Sequence, residues 1–348
     1  MFKKSKIEAM TAVVPQNRIP LLEFSDVYGE DQIRRIMRAT GIEEVTVAAA
    51  GMTSSDYSYE AARILLSETG VSISDVDALI YVTDTPDYLT PGTAPILQDR
   101  LGLSNNTINM DLRYSCSGYV YGLFQASLLV ESGYCNSVIV LAASTGSQYV
   151  NEQDRSMKML LGDAACATLV TASEKMFNSH YSFYVDGSRN KSLYVPAGGA
   201  RLPIKKGVTD VLVFDEDGNG RTQENVHMNG MDIMMFSISD VPKLIKETMA
   251  GIDWTVDDVD LFGLHQANKM IVSRLAKALK ANPDKVPIDI AHTGNCGLSS
   301  VPLVLCNQFE GVHSEFKKAI ICGFGSGLLA SCCAVNLSET KIIKTRSI

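Results

Sequence analysis

The sequence predicts an α/β protein built from two similar halves, and three observations lead there. Strand-like apolar runs alternate with stretches of helical period. A weak internal repeat returns at a nearly constant offset. A segment rich in Gly, Pro, Asn and Asp, residues 174–228, lies between the copies and reads as irregular connection. The apolar runs are "DALIYVT" (77–83), "SVIVLAA" (137–143), "DLFGLHQ" (260–266), "KAIICGF" (318–324) and "ASCCAVNL" (330–337). Each is too short for an ordinary buried helix and suits a strand covered on both faces. The repeat is carried by "VSISDVDALIYVTD" (71–84) and "WTVDDVDLFGLHQA" (254–267). After each comes a further strand–turn–helix and then a terminal strand, "NSVIVLAAS" or "FKKAIICGF". Asp75 and Asp258 stand 183 residues apart, and Ser137 and Lys318 stand 181 apart. That period suits a domain duplication, with halves at 1–173 and 174–348.

Between the terminal strands lie the joints. "TIN" and "MDL" (107–112) end a strand, whereas Tyr119, Leu123, Ala126, Leu128 and Leu129 recur at helical spacing, so the chain turns from strand to helix near Cys116. In the second half "VPIDIAHTGNCGLSSVPLVLC" (286–306) is the counterpart strand–turn–helix, with Asn295 in its turn. The strand "DLFGLHQAN" ends in His265.

Composition narrows the class. At 348 residues and 37.8 kDa the chain can bury a substantial core. Hydrophobic residues at 46% and charged residues at 20% are ordinary for a soluble globular protein, and no apolar run approaches the roughly 20 residues that span a bilayer. The start, "MFKKSKIEAMTAVVPQ", has an apolar stretch that Pro15 cuts short, a poor signal peptide, so the cytoplasm is the expected compartment. A net charge of −8 and a pI near 5.2 argue against nucleic acid, leaving only local basic patches such as Lys205 and Lys206 for an acidic partner. The eight cysteines sit mostly in apolar runs without CxxC spacing, which predicts reduced thiols.

Cys116, at the joint of strand and helix, is placed where unpaired N–H groups and the helix dipole favour a thiolate. A small buried side chain is the plain alternative. His265 and Asn295 also fall at strand ends, where functional groups of α/β sheets collect. Singly, one reads as a satisfied core histidine and the other as a turn former in "TGNCG". Together the three make up an acyl-transfer site: a thiolate to hold an acyl group, and donors to hold negative charge on a thioester oxygen. "DEDGNGRTQENV" (215–226) begins like a calcium loop, but Val226 stands where the bidentate glutamate belongs. "GFGSG" (323–327) joins two strands and reads as a turn whose backbone approaches substrate, not as a phosphate loop.

At these residues the chain resembles β-ketoacyl-acyl-carrier-protein synthase III, among the thiolase-like condensing enzymes. "SCSG" is similar to the family's nucleophile turn, "GDAACATLV" (162–170) to its Gly-Asp strand and "HQANKMI" (265–271) to its histidine motif. "HTGNCGLSSVPL" resembles its asparagine motif and "GFGSGL" its glycine turn. The resemblance implies a thiolase-like five-layered αβαβα fold and a homodimer. It also implies condensation of an acyl thioester primer with malonyl-acyl-carrier protein, in fatty-acid or specialised acyl or polyketide biosynthesis. Cys116 would carry the acyl group, with its own N–H and that of Ser326 as oxyanion hole. His265 and Asn295 would stabilise the enolate left by decarboxylation, with no metal or redox cofactor. Arg38, Arg155, Asn268 and Lys269 fall where the family binds substrate or carrier.

The family's coenzyme-A-gripping tryptophan is missing: the aligned positions before "TGI" hold Arg35 and Ala39, with Arg38 adjacent, and the single tryptophan is Trp254. Acyl-carrier protein as carrier of both substrates is therefore also open. Two further readings of the same fold are a non-decarboxylating acyltransferase and a catalytically silent partner subunit. A degradative thiolase, using Cys296 or Cys322 as acid/base, fits "HQAN" and "GN" less well.

Overall fold

Two sheets with the same internal order organise the chain, and the computed structural model describes residues 1–348. The first contains β1 (Ser5–Val14), β2 (Ala78–Val82), β3 (Ile108–Leu112), β4 (Ser137–Ser144) and β5 (Ala164–Ala172), in the spatial order β1-β5-β4-β2-β3. The second contains β6 (His180–Val185), β7 (Leu261–Leu264), β8 (Ala319–Gly325) and β9 (Leu329–Val335), in the order β6-β9-β8-β7. Directions match: β4 is parallel to β2 and antiparallel to β5, as β8 is parallel to β7 and antiparallel to β9.

Strand sequences explain the layering. Side chains alternate across a strand, and in β4 Val138, Val140 and Ala142 join the middle core while Ile139, Leu141 and Ala143 join an outer one. In β8, Ala319 and Ile321 face the middle, whereas Ile320, Cys322 and Phe324 face the opposite outer core. Both faces need cover, and helices supply it. The chain's longer helices are α1 (Glu30–Thr40), α2 (Ser54–Thr69), α3 (Thr93–Leu101), α4 (Gly118–Glu131), α5 (Gly230–Ala250), α6 (Lys269–Leu279) and α7 (Ser300–Gln308). Helices α2 and α3 cover the first sheet, α4 and α7 fill the space between the sheets, and α5 and α6 cover the second. The result is the five-layered αβαβα arrangement. No helix is long and apolar enough to cross a membrane.

One local expectation is corrected. Residues 286–291 do not form a strand. Val286, Ile288 and Ile290 alternate in sequence as one face of a strand would, but Pro287 is itself buried and lacks a donor, and the polar groups here bond elsewhere. The Ala291 carbonyl accepts from Glu43 and Glu44 N–H (2.8 and 3.0 Å), and Asp289 N–H donates to Gln266 Oε1 (3.2 Å). The chain's end joins the first sheet: Lys341–Ile342 and Arg346–Ser347 pair parallel with β1.

Glycines set how closely α4 sits between the sheets. A Cβ on Gly118 would lie 2.7 Å from Val82 Cγ1, and one on Gly122 2.7 Å from Val140 Cγ1, so α4 presses directly on β2 and β4. From the other side, a Cβ on Gly323 would lie 2.5 Å from the Cys116 carbonyl oxygen, and one on Gly325 3.1 Å from Cys116 Sγ. Cys116 is thus clamped by both sheets.

Candidate active site

Cys116 lies two residues before α4 and is 9% exposed, with Sγ 3.5 Å from Ser115 Oγ. All eight cysteines are free. Burial pushes the Cys116 thiol up to about 11; the Ser115 hydroxyl opposes this, and the nearby Asp84 carboxyl adds to it. The sequence reading of a standing thiolate at the helix start is corrected here, because desolvation outweighs the helix end. The resting group is a thiol, which must lose its proton as an acyl group arrives.

His265 follows β7 directly, and its N–H extends the ladder to the Cys322 carbonyl (2.9 Å). The ring is 2% exposed and meets Phe324 edge-on at 5.1 Å. Burial lowers its pKa to about 4, so it is neutral at physiological pH. Nδ1 lies 2.7 Å from Ser300 Oγ, on the first residue of α7, and Gln266 N–H donates to that same oxygen (3.2 Å). The Ser300 hydroxyl hydrogen has no acceptor except Nδ1. The imidazole proton therefore resides on Nε2, a donor directed away from Ser300.

Asn295 is fixed by its backbone. Its N–H donates to the Leu160 carbonyl (2.8 Å), and its carbonyl accepts from Gly162 N–H (3.0 Å). Its Oδ1 accepts from Gly297 N–H (3.0 Å), which leaves the Nδ2 amide without a protein acceptor. The Gly-Asp pair of the mid-chain motif holds this turn. A Cβ at Gly162 would fall 1.8 Å from the Thr293 carbonyl oxygen. Asp163, wholly buried, accepts from Ala48 N–H (2.8 Å), Ser147 N–H (3.0 Å) and the Ser147 hydroxyl.

A cavity of about 590 Å³ opens onto this region, with Cys116, Asn295, Ser326, Asp84, Arg113 and Ser144 on its wall. His265 is not among the wall residues; it packs against Phe324 and bonds Ser300. Ser326 Oγ donates to the Leu193 carbonyl (2.8 Å), which fixes the glycine turn over the cavity. The remaining sequence candidates lie outside the cavity wall. Arg38 is exposed on α1. Lys269 begins α6 and packs on Gly41, the residue that ends α1, so both cations belong to one surface. Asn268 caps α6, with Oδ1 accepting from Ile271 N–H (2.8 Å), and its side chain is thereby occupied. Arg155 lies over the Tyr28 ring (5.8 Å) and reaches the Asp217 carbonyl (3.4 Å).

The calcium-like loop is a short hairpin, Val213–Phe214 against Gly220–Arg221. Asp215 accepts from Asp217 and Asn219 N–H and pairs with Arg221, so its carboxylate is already satisfied. Three groups at the site escaped the sequence reading. Asp84 and Ser144 sit just past or at strand ends with no motif around them, whereas Ser300 was visible only as part of "NCGLSS".

Comparison with known proteins now adds identity to geometry. The family model for 3-oxoacyl-[acyl-carrier-protein] synthase III matches residues 110–187, and the model for the C-terminal part of that enzyme matches 249–337. The β-ketoacyl-[acyl-carrier-protein] synthase III of Fusobacterium nucleatum is 31% identical over 325 residues, covering 92% of this chain and 95% of its own. A crystal structure of a 3-oxoacyl-(acyl-carrier-protein) synthase III superposes with a TM-score of 0.90 at 34% identity, covering 96% of this chain and 99% of its own. A 3-oxoacyl-(acyl-carrier-protein) synthase from Burkholderia xenovorans superposes with a TM-score of 0.91 at 27% identity, covering 100% of this chain and 98% of its own.

Proposed function

The chain belongs to the β-ketoacyl-[acyl-carrier-protein] synthase III family of condensing acyltransferases, and from that premise we propose that it joins an acyl thioester primer to malonyl-acyl-carrier protein through an acyl-Cys116 intermediate. One observation carries the assignment of roles. Cys116 and the unpaired Asn295 amide share one cavity wall, and a neutral His265, its proton on Nε2, is held by Ser300 at the helix that follows the Asn295 turn.

In the first half-reaction the Cys116 sulfur attacks the primer's carbonyl carbon, the carbon–sulfur bond to the carrier breaks, and the cysteine's proton passes to the departing sulfur, which leaves as the carrier thiol. The N–H groups of Cys116 and Ser326 stabilise the oxyanion. In the second, malonyl thioester loses carbon dioxide. The enolate oxygen accepts from Asn295 Nδ2 and His265 Nε2, both neutral donors that develop strong bonds only as charge appears. The enolate carbon then attacks acyl-Cys116, releasing the thiolate, which is reprotonated, and a β-ketoacyl thioester. No metal or redox cofactor enters, because loss of carbon dioxide drives the carbon–carbon bond. Retention of both enolate donors favours this over plain acyl transfer, which needs a base instead.

The same reading makes the enzyme a cytoplasmic homodimer whose two sheets descend from duplicated halves, 1–173 and 174–348. Arg38 and Lys269 would receive the acidic carrier protein, and Arg155 would lie beside the arriving carrier arm. Intact-protein mass spectrometry tests the chemistry. The wild type and Cys116→Ala are mixed with acyl thioesters on coenzyme A and on carrier protein, then chased with malonyl-carrier protein. The expected result is an adduct that requires Cys116 and that malonyl discharges as β-ketoacyl product. No adduct from any donor would sink the nucleophile assignment, and an adduct that malonyl cannot discharge would favour the plain acyltransferase.

A further inference from the structure

The cavity wall next to Cys116 carries more polar chemistry than an alkyl chain can use. Asp84 lies two residues past β2 and faces the cavity. Its Oδ1 accepts from Ser144 Oγ at 2.7 Å, and it forms no salt bridge. Ser115, whose hydroxyl is 3.5 Å from Cys116 Sγ, lines the same wall. A carboxyl and two hydroxyls thus share the cavity wall with the nucleophile. An unbranched alkyl primer seated here would strip water from the Asp84 carboxyl and return no hydrogen bond, an uncompensated desolvation.

On the condensing reaction proposed above, and resting on it, we infer that the preferred primer is a hydroxyacyl thioester, whose chain hydroxyl near the thioester bonds Asp84 and the Ser115–Ser144 pair. A hydroxyl both donates and accepts, so it pairs with this carboxyl whether the carboxyl is charged or neutral. An ammonium group only donates, and Arg113 and Arg201 on the same cavity oppose its charge. The acid-facing pocket thus selects a neutral donor. Sites that hydrogen-bond a substrate hydroxyl reject the analogue lacking it far more strongly than apolar pockets reject an extra methylene.

The test is competition between 3-hydroxybutyryl, 2-hydroxybutyryl, 3-aminobutyryl and butyryl thioesters for Cys116, read by intact-protein mass spectrometry and by condensation product, in wild type, Asp84→Asn and Asp84→Ala. Wild type should favour one of the hydroxyacyl thioesters over butyryl by about tenfold or more. Asp84→Asn keeps an acceptor and should retain most of that preference; Asp84→Ala should bring the ratio near one while butyryl still acylates. Equal or greater use of butyryl by wild type, with no change in the ratio in Asp84→Ala, overturns the inference and leaves the condensing reaction standing. A preference for 3-aminobutyryl that Asp84→Asn abolishes overturns the hydroxyl in favour of an ammonium. Absence of any adduct overturns the condensing reaction itself, and the inference falls with it.

Discussion

Replacing Ser300 by alanine should separate the two half-reactions. The substitution removes one oxygen and little volume, but that oxygen serves two buried partners, His265 Nδ1 at 2.7 Å and Gln266 N–H at 3.2 Å. Gln266 N–H has no other acceptor, and leaving such a buried donor unpaired costs about 1–3 kcal/mol. His265 can relieve its own loss by moving its proton to Nδ1, which removes the Nε2 donor from the enolate. If the Ser300 bond biases the tautomers by about 1–2 kcal/mol, decarboxylation should fall by about 5–30-fold. Loss of a whole oxyanion donor, about 10²–10³-fold, is the ceiling. The assay measures release of labelled carbon dioxide from malonyl-carrier protein alongside acylation of Cys116, with nitrogen NMR of the His265 ring to report the tautomer. Acylation should remain near wild type, decarboxylation should drop, and Ser300→Thr should restore it. Wild-type decarboxylation with an unchanged Nε2–H signal in Ser300→Ala would refute the positioning role.

Three further outcomes follow from the same geometry. Because His265 takes its proton at about pH 4 when folded but near 6.5 when unfolded, the unfolded state binds more protons between those values. Stability is thus complete above about pH 6.5 and falls as pH drops, by about 3 kcal/mol at pH 4; chemical denaturation across this range should show the slope, and His265→Asn should flatten it. Alkylation of Cys116 by iodoacetamide should require high pH, since burial and Asp84 raise the thiol, and Asp84→Asn should move the profile to lower pH by removing a like charge; an upward shift would contradict the assignment. Gly323→Ala should destabilise by about 1–3 kcal/mol, because its methyl meets backbone at 2.5 and 2.8 Å, whereas Gly325→Ala, which meets the Cys116 side chain, should lower acylation more than thermal stability.

Much of the fold was legible because the central strands are buried on both faces and therefore read as uninterrupted apolar runs. The repeat of strand order was carried by two short sequence matches, since the covering helices need only an apolar stripe and preserve little else. Residues 286–291 misled because Val286, Ile288 and Ile290 alternate in sequence as in a strand, while the bonds that would make one go to Glu43 and Glu44 instead. Cys116, His265 and Asn295 could be picked out because each sits in a recognisable motif, the first two past strand ends and Asn295 in a glycine-flanked turn. The protonation of Cys116 could not, since desolvation depends on groups distant in sequence such as Asp84. Ser300 was hidden for the opposite reason: a serine beside another serine at a helix start looks like a cap until the histidine 35 residues earlier is seen against it.

The clamp on Cys116 bears on when this molecule becomes reactive. The cysteine is synthesised in the first third of the chain, but the strand that closes over it carries Gly323 and Gly325, and the last strands to pair with β1 come later still. A nascent or partly unfolded chain therefore possesses the nucleophile without the chamber that gives it a substrate. Catalytic competence becomes an all-or-none report of finished folding, and a damaged chain falls silent instead of consuming thioesters.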